Sequence, residues 1–204
     1  MNRRTFLQAT GALVIAAGPG LALAASPEKK SLAQKLPRWR GFNLTEKVSK
    51  YGDRNPPYRE RDFKLLQEWG FNFARLPLSY VLWTEPDDWL KVREDELKDI
   101  DGGVEMGRKH GIHVNLNLHR APGYCVNPPK EASDLWKDES ALEACAFHWT
   151  LLAKRYKGIP SEQLSFDLLN EPSNVSEDAY VRVVKKLTDA IRAEDPERLI
   201  ISDG

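Results

Sequence analysis

Five short apolar runs, each parted from the next by a loop and a stretch of helical periodicity, set the tightest limit on what this chain can become. The runs are WRGFNL (39–44), FNFARLPLS (71–79), IHVNLNLH (112–119), LSFDLLN (164–170) and RLIISDG (198–204). Between them, YRERDFKLLQEWG (58–70) places Phe63, Leu66 and Trp69 at helical spacing and stops at Gly70, a good helix terminator. REDELKDIDGGVEMGRKHG (93–111) turns Leu97, Ile100, Val104 and Met106 inward, with Gly102-Gly103 weakening it. ESALEACAFHWTLLAKRYKG (139–158) ends in cations and a glycine. SEDAYVRVVKKLTDAIRAED (176–195) opens with a Ser176 cap and an acidic first turn. Trp69 and Trp149 fall on helix faces and are predicted core residues.

Strands alternating with helices of this length build parallel β/α units. Strand ends near Leu44, Pro77, His119, Glu171 and Asp203 suit an α/β fold of the (β/α)8 TIM-barrel type, with only the first five strands and four helices present. The alternative is a doubly wound open sheet, but no Gly-rich turn follows the first strand to mark a nucleotide site. The fifth run stops at residue 204 with no helix after it, so residues 38–204 are expected to form the N-terminal part of a longer barrel.

The first 25 residues obey different rules. Arg3-Arg4, then Thr5-Phe6-Leu7, an apolar middle and Ala22-Leu23-Ala24 make an export signal of the twin-arginine type. The apolar stretch is too short and too interrupted by Gly18-Pro19-Gly20 to span a bilayer, so no stable membrane insertion is expected. Residues 26–37 read as a polar leader, and the address is periplasmic or extracellular. Thirty acids balance thirty bases, and losing two arginines with the signal leaves about −2, which argues against a nucleic-acid partner. Cys125 and Cys145 could pair in an exported protein, or remain free; the sequence leaves both open.

In a parallel barrel the strand C-termini share one mouth, where active sites sit. Arg75 sits in FARLP, the last turn of the second strand, while His119-Arg120 close the third and Asn170-Glu171 the fourth. A carboxyl flanked by amide, imidazole and guanidinium can work as an acid/base, because the cation and imidazole orient it and the amide can bond a substrate hydroxyl. Taken singly, each has a structural reading: Arg75 as a barrel-sealing ion pair, His119 as a satisfied core histidine, Glu171 as a helix-capping acid. His110, His113 and His148 are read as structural. Trp83, Trp89 and Trp136 fall in loops near the mouth, to line it or to pack beneath those loops. No His/Asp/Glu cluster has metal-ligand spacing, so no metal or other cofactor is expected.

RGFNL, FNFARLPLSY, NLNLHRAPG, LLNEP and LIISDG, in that order over residues 38–204, resemble glycoside hydrolase family five, the cellulase family A. The resemblance implies a retaining glycosidase acting on a β-linked polysaccharide or oligosaccharide such as cellulose, another β-glucan or mannan. It makes Glu171 the acid/base, Asn170 a contact to the sugar 2-hydroxyl and His119 a cleft residue. Arg75 would hold the nucleophile ionised, and Asn43 would stand at the cleft's edge. The family's nucleophile belongs to a seventh strand that this chain does not contain, and Asp167, Glu177 and Asp203 are poor substitutes for it. These 204 residues alone are therefore expected to be inactive. The alternatives are a non-catalytic carbohydrate-binding relative, an inactive fragment, or another retaining family of the same barrel clan.

Overall fold

The computed structural model describes residues 36–49, 51 and 55–203. The expected export signal and residues 26–35 of the leader lie outside the described residues. Five parallel strands, β1 (Gly41–Asn43), β2 (Phe73–Ser79), β3 (His113–Arg120), β4 (Leu164–Asp167) and β5 (Leu199–Ile201), alternate with four helices. These are α1 (Glu60–Glu68), α2 (Glu94–Lys109), α3 (Glu139–Arg155) and α4 (Glu177–Glu194). Strand order in the sheet follows chain order, each strand pairing in parallel with its sequence neighbours. A doubly wound sheet reverses that order at a switch point, and here it never reverses. The progression is that of a (β/α)8 barrel covering its first five strands.

In the middle strands the residues of both faces are buried, and the two faces differ in chemistry. On one side Ala74, Leu76, Leu78, Val114, Leu116, Leu118, Leu164 and Phe166 are buried. They meet the helices: Phe166 packs on Trp149 of α3 with ring centroids 5.1 Å apart. On the other side the strands of the middle of the sheet carry polar residues toward the barrel axis. His113 accepts or donates to Ser165 Oγ at 2.7 Å, and Asn115 Nδ2 donates to the same oxygen at 2.9 Å. Asn117 Nδ2 donates to the Asp167 carbonyl at 3.2 Å. The period-two pattern of β3 is therefore a division between two buried faces, not between core and solvent.

Ser176 caps α4 as expected, accepting the Ala179 N–H at 3.4 Å. Trp149 is fully buried, but Trp69 is 64% exposed. Trp69 is the residue at which α1 ends, and the chain reverses at Gly70 (φ 77°), which carries the indole off the buried Phe63–Leu66 stripe. Between β2 and α2 the sequence reading missed a short antiparallel hairpin, Thr84–Glu85 against Asp88–Val92, turning at Pro86-Asp87. Arg198 is 1% exposed and was not foreseen either. Its guanidinium donates to the carbonyls of Leu164, Tyr156 and Ile159 and pairs with Asp195 at 2.8 Å, joining β5 to β4 and the end of α3. Both cysteines are free and buried, which closes the pairing question left open above.

The glycines of α2 differ: Gly107 permits a close contact that the sequence does not signal, while Gly102, one of the pair read as weakening the helix, has room for a Cβ. A Cβ on Gly107 would lie 2.2 Å from Val114 Cγ2 and 3.0 Å from the Ile112 carbonyl oxygen, so α2 touches β3 only because that atom is missing. Gly102 meets only the Met106 methyl at 3.6 Å. The two therefore respond in opposite directions. Gly107→Ala should destabilise the fold by about 1–3 kcal/mol through overpacking. Gly102→Ala should stabilise it by about 0.5–1 kcal/mol through helix propensity. Urea unfolding of both variants checks the pair, and equal shifts of the same sign would contradict the packing argument.

Candidate active site

At the C-terminal ends of the strands, Arg75 reaches from β2 across β3 to β4. Its Nε donates to Asp167 Oδ2 at 2.8 Å and its Nη2 to Asn170 Oδ1 at 2.9 Å. Inward side chains in a barrel meet those of alternate strands, and this is such a contact. Asp167 is 4% exposed, consistent with a position deeper than Glu171. Burial pushes its carboxyl up to about 6, the hydrogen bond and charge of Arg75 oppose that rise, and the charge of Asp203 adds to it. Asp167 Oδ1 and Asn170 Nδ2 are buried with no partner among the described residues, and both belong to this cluster.

A bulge places the third strand's residues. Leu78 pairs with Leu118 and Ser79 with Arg120, so His119 is the extra residue. Arg120 consequently leaves the mouth, correcting its placement in the cleft. It is buried and paired with Glu131, donates to the Pro129 carbonyl at 3.0 Å, and shares Glu131 with the Tyr80 hydroxyl at 2.8 Å. His119 is half-buried, with Nε2 3.1 Å from Asn127 Nδ2 and Nδ1 buried without a partner among the described residues. Burial lowers its pKa first, the charge of Arg75 lowers it further, and that of Glu171 acts in the other direction. The ring is a neutral one, able to exchange a hydrogen bond with a hydroxyl.

Glu171 is exposed, and its backbone sits at φ 49°, in the left-handed region. Its N–H goes to Asp203 Oδ2 at 3.1 Å, and its carbonyl accepts the Tyr124 hydroxyl at 2.7 Å. Asn43 is exposed at the end of β1, in register with Arg75, and makes no side-chain hydrogen bond among the described residues. Arg75, Asn170, His119 and Glu171 are thus brought to one edge of the sheet, with Asn43 beside them. Glu171 does not cap α4, since Ser176 does. Tyr124 and Asp203 were missed as contacts of Glu171. No local signal in the sequence could have found them, because the contacts span 47 and 32 residues.

The tryptophans divide. Trp83 is fully buried, donating Nε1 to His148 Nδ1 at 3.2 Å. Trp136 lines a hollow of about 370 Å³ between the loops that follow β3 and β4, together with Tyr124, Lys130, Ser173 and Asn174. Trp89 lines a second, of about 330 Å³, beside Glu85, Asp88 and Glu131.

Residues 28–204 match the family described as Cellulase (glycosyl hydrolase family 5). The chain belongs to glycosyl hydrolase family 5. Among curated relatives of the family, Endoglucanase C of Acetivibrio thermocellus is 31% identical over 145 residues, 71% of this chain and 42% of that protein. Cellodextrinase A of Ruminococcus flavefaciens is 30% identical over 147 residues, 70% of this chain and again 42% of the relative. The chain thus spans less than half the length of either. A solved glycoside hydrolase superposes with a TM-score of 0.79 at 36% identity, covering 82% of this chain and 53% of that one. Endoglucanase Cel5A of Thermotoga maritima gives 0.64 at 25% identity, covering 80% and 50%.

The buried carboxyl generates a pH prediction. Asp167 binds its proton more tightly folded than unfolded, its value moving from 3.8 to about 6. That contribution to stability is present below the unfolded value and is lost as pH rises through the folded one. The loss is on the order of 2–3 kcal/mol between pH 4 and 6. Asp167→Asn keeps an oxygen for Arg75 and removes the titration, so its stability should decline less over that window. Urea unfolding at pH 4, 5 and 6 checks this, and parallel curves for the two proteins would sink it.

Proposed function

We propose that this family 5 chain carries the acid/base half of a retaining β-glycosidase cleft, with Glu171 as the acid/base. The observation that carries the reading is a single guanidinium that holds two residues at the end of the fourth strand: Arg75 bonds both Asp167 and Asn170, the residue before Glu171. A retaining enzyme needs a protonated carboxyl to release the leaving oxygen and an ionised one to attack the anomeric carbon, about 5 Å away. Glu171 donates its proton to the glycosidic oxygen as the second carboxylate bonds to the anomeric carbon. It then takes a proton from the water that releases the sugar. Asn170 Nδ2, buried and unpartnered, would bond the hydroxyl on the adjoining carbon, and neutral His119 a further one. Arg75 Nη1, unused among the described residues, would face the second carboxylate and keep it ionised. Asn43 would border the sugar at the first strand.

The second carboxylate is assigned to barrel units beyond residue 204, a reading supported by the 42% of Endoglucanase C that the chain spans. On this reading residues 1–25 export the protein, residues 26–37 are a leader and residues 38–204 are the first part of the catalytic barrel. The chain by itself is inactive. The substrate is a β-linked glucan or a related β-mannan, in keeping with the endoglucanase and cellodextrinase names of its relatives. No metal or cofactor has a part in the chemistry.

The test uses the protein expressed from its complete reading frame. It should hydrolyse soluble β-1,4-glucan, with proton NMR showing the β-anomer as the first product. Glu171→Gln should lower kcat by about 100-fold or more, the contribution of a positioned general acid/base, while oligosaccharide binding persists. Sugar binding without any wild-type turnover would replace this reading with that of a binding protein.

A further inference from the structure

Glu171 holds a backbone conformation that L-residues other than glycine rarely adopt, at φ 49°, and something must hold it there. The next residue, Pro172, has no N–H and a fixed φ. Across that proline a single phenol bridges the chain. The Tyr124 hydroxyl donates to the Glu171 carbonyl at 2.7 Å and accepts the Ser173 N–H at 3.0 Å. The direction is fixed, since Ser173 N–H can only donate and a carbonyl can only accept. On the other side of the residue, Asp203 Oδ2 accepts the Glu171 N–H at 3.1 Å. Both backbone groups of Glu171 therefore belong to distant parts of the chain, one to the loop after β3 and one to the end of β5.

The two holds are themselves braced. Tyr124 is 9% exposed, and its ring meets Trp136 edge-on, with centroids 5.1 Å apart. Trp136 also meets Tyr180 of α4, centroids 6.5 Å apart, and the Tyr180 hydroxyl donates to the Asp203 carbonyl. One indole thus supports both sides. We propose that Tyr124 is a positioning residue for the acid/base: its hydroxyl, opposed by Asp203, locks the Glu171–Ser173 turn and so aims the Glu171 carboxyl. The inference rests on the assignment of Glu171 made above. It adds a residue that touches neither substrate nor carboxyl and acts through the backbone between them.

Leaving-group dependence separates aim from mere stability. A 2,4-dinitrophenyl β-cellobioside departs without a proton, whereas a 4-methoxyphenyl β-cellobioside needs one from the acid. In the protein expressed from its complete reading frame, Tyr124→Phe keeps the ring on Trp136 and removes only the hydroxyl. We expect kcat/KM for the methoxyphenyl substrate to fall by about 10-fold to 100-fold, the scale of a misplaced catalytic group, and for the dinitrophenyl substrate to fall less than about 2-fold. Tyr80→Phe removes a hydroxyl that bonds the Glu131 side chain and not the Glu171 backbone, and should affect both substrates equally. If Glu171→Gln shows the split and Tyr124→Phe does not, the positioning role is overturned and Glu171 stands. If Glu171→Gln shows no split, or the wild-type protein turns over neither substrate, the acid/base reading falls and this inference with it.

Discussion

The inner face of this sheet is polar and buried, and the rest of the structure follows from the need to satisfy it. Arg75, His113, Asn115, Asn117, Ser165 and Asp167 point to the same side, and five of the six are buried, Arg75 being only half so. A buried polar group without a partner costs about 1–3 kcal/mol, so each requires a neighbour at a fixed height. Strand geometry supplies it from adjacent and alternate strands: Asn115 and His113 on β3 share Ser165 of β4, and Arg75 of β2 passes over β3 to Asp167. A one-residue slip would exchange this face with the leucines and valines behind it. Register is therefore specified by the polar face, since one branched aliphatic side chain can replace another against the helices at small cost.

Where the ladder between β2 and β3 ends, that specification ends with it, and the bulge at His119 redistributes charge. Arg120 turns into the loop and is neutralised by Glu131, while His119 stays at the mouth and is held neutral by burial and by Arg75. The net result is that Arg75 is the guanidinium bonded to Asp167 and Asn170, while Arg120 is paired elsewhere. A second guanidinium there would lower the pKa of any carboxyl meant to carry a proton, and an acid/base pair needs its two carboxyls kept apart in pKa. Sending Arg120 away leaves Asp167 and Asn170 bonded to Arg75.

The alternation of apolar runs and helical stretches was enough to read the barrel, because each unit obeys local rules: period, cap and stop signal. Arg75, His119, Asn170 and Glu171 stand out in the sequence because polar residue types interrupt apolar strands, and the structure brings them to one edge of the sheet; their roles belong to the proposal. The features that escaped depend on distance. Gly107 carries no local signal of a contact, and Val114 Cγ2 lies 2.2 Å from where its Cβ would be. Trp69 fits a helix stripe, and only the turn at Gly70 shows that the stripe has ended. The hairpin at 84–92 is too short to carry a period. Tyr124 sits in a loop whose sequence gives no reason to single it out. The buried guanidinium of Arg198 collects carbonyls from residues more than thirty positions away.

The apolar run that leads to Asn170 and Glu171 also shows how the site depends on the fold. The run continues to Leu169, but the ladder stops at Asp167. Leu168 is still buried, its N–H given to the Ile201 carbonyl at 3.0 Å and its carbonyl taken by Trp149 Nε1 at 3.3 Å. The chain thus leaves the sheet while anchored on both sides, and turns through a left-handed glutamate and a proline. Local sequence disfavours that turn. Contacts from β5, from the loop after β3 and, through Tyr180, from α4 outweigh the preference. Strain held at one residue by surroundings that over-determine it is the usual condition of a preorganised catalytic group. On the proposed assignment, the aim of the Glu171 carboxyl is set less by the Asn-Glu-Pro step than by the three elements that close around it.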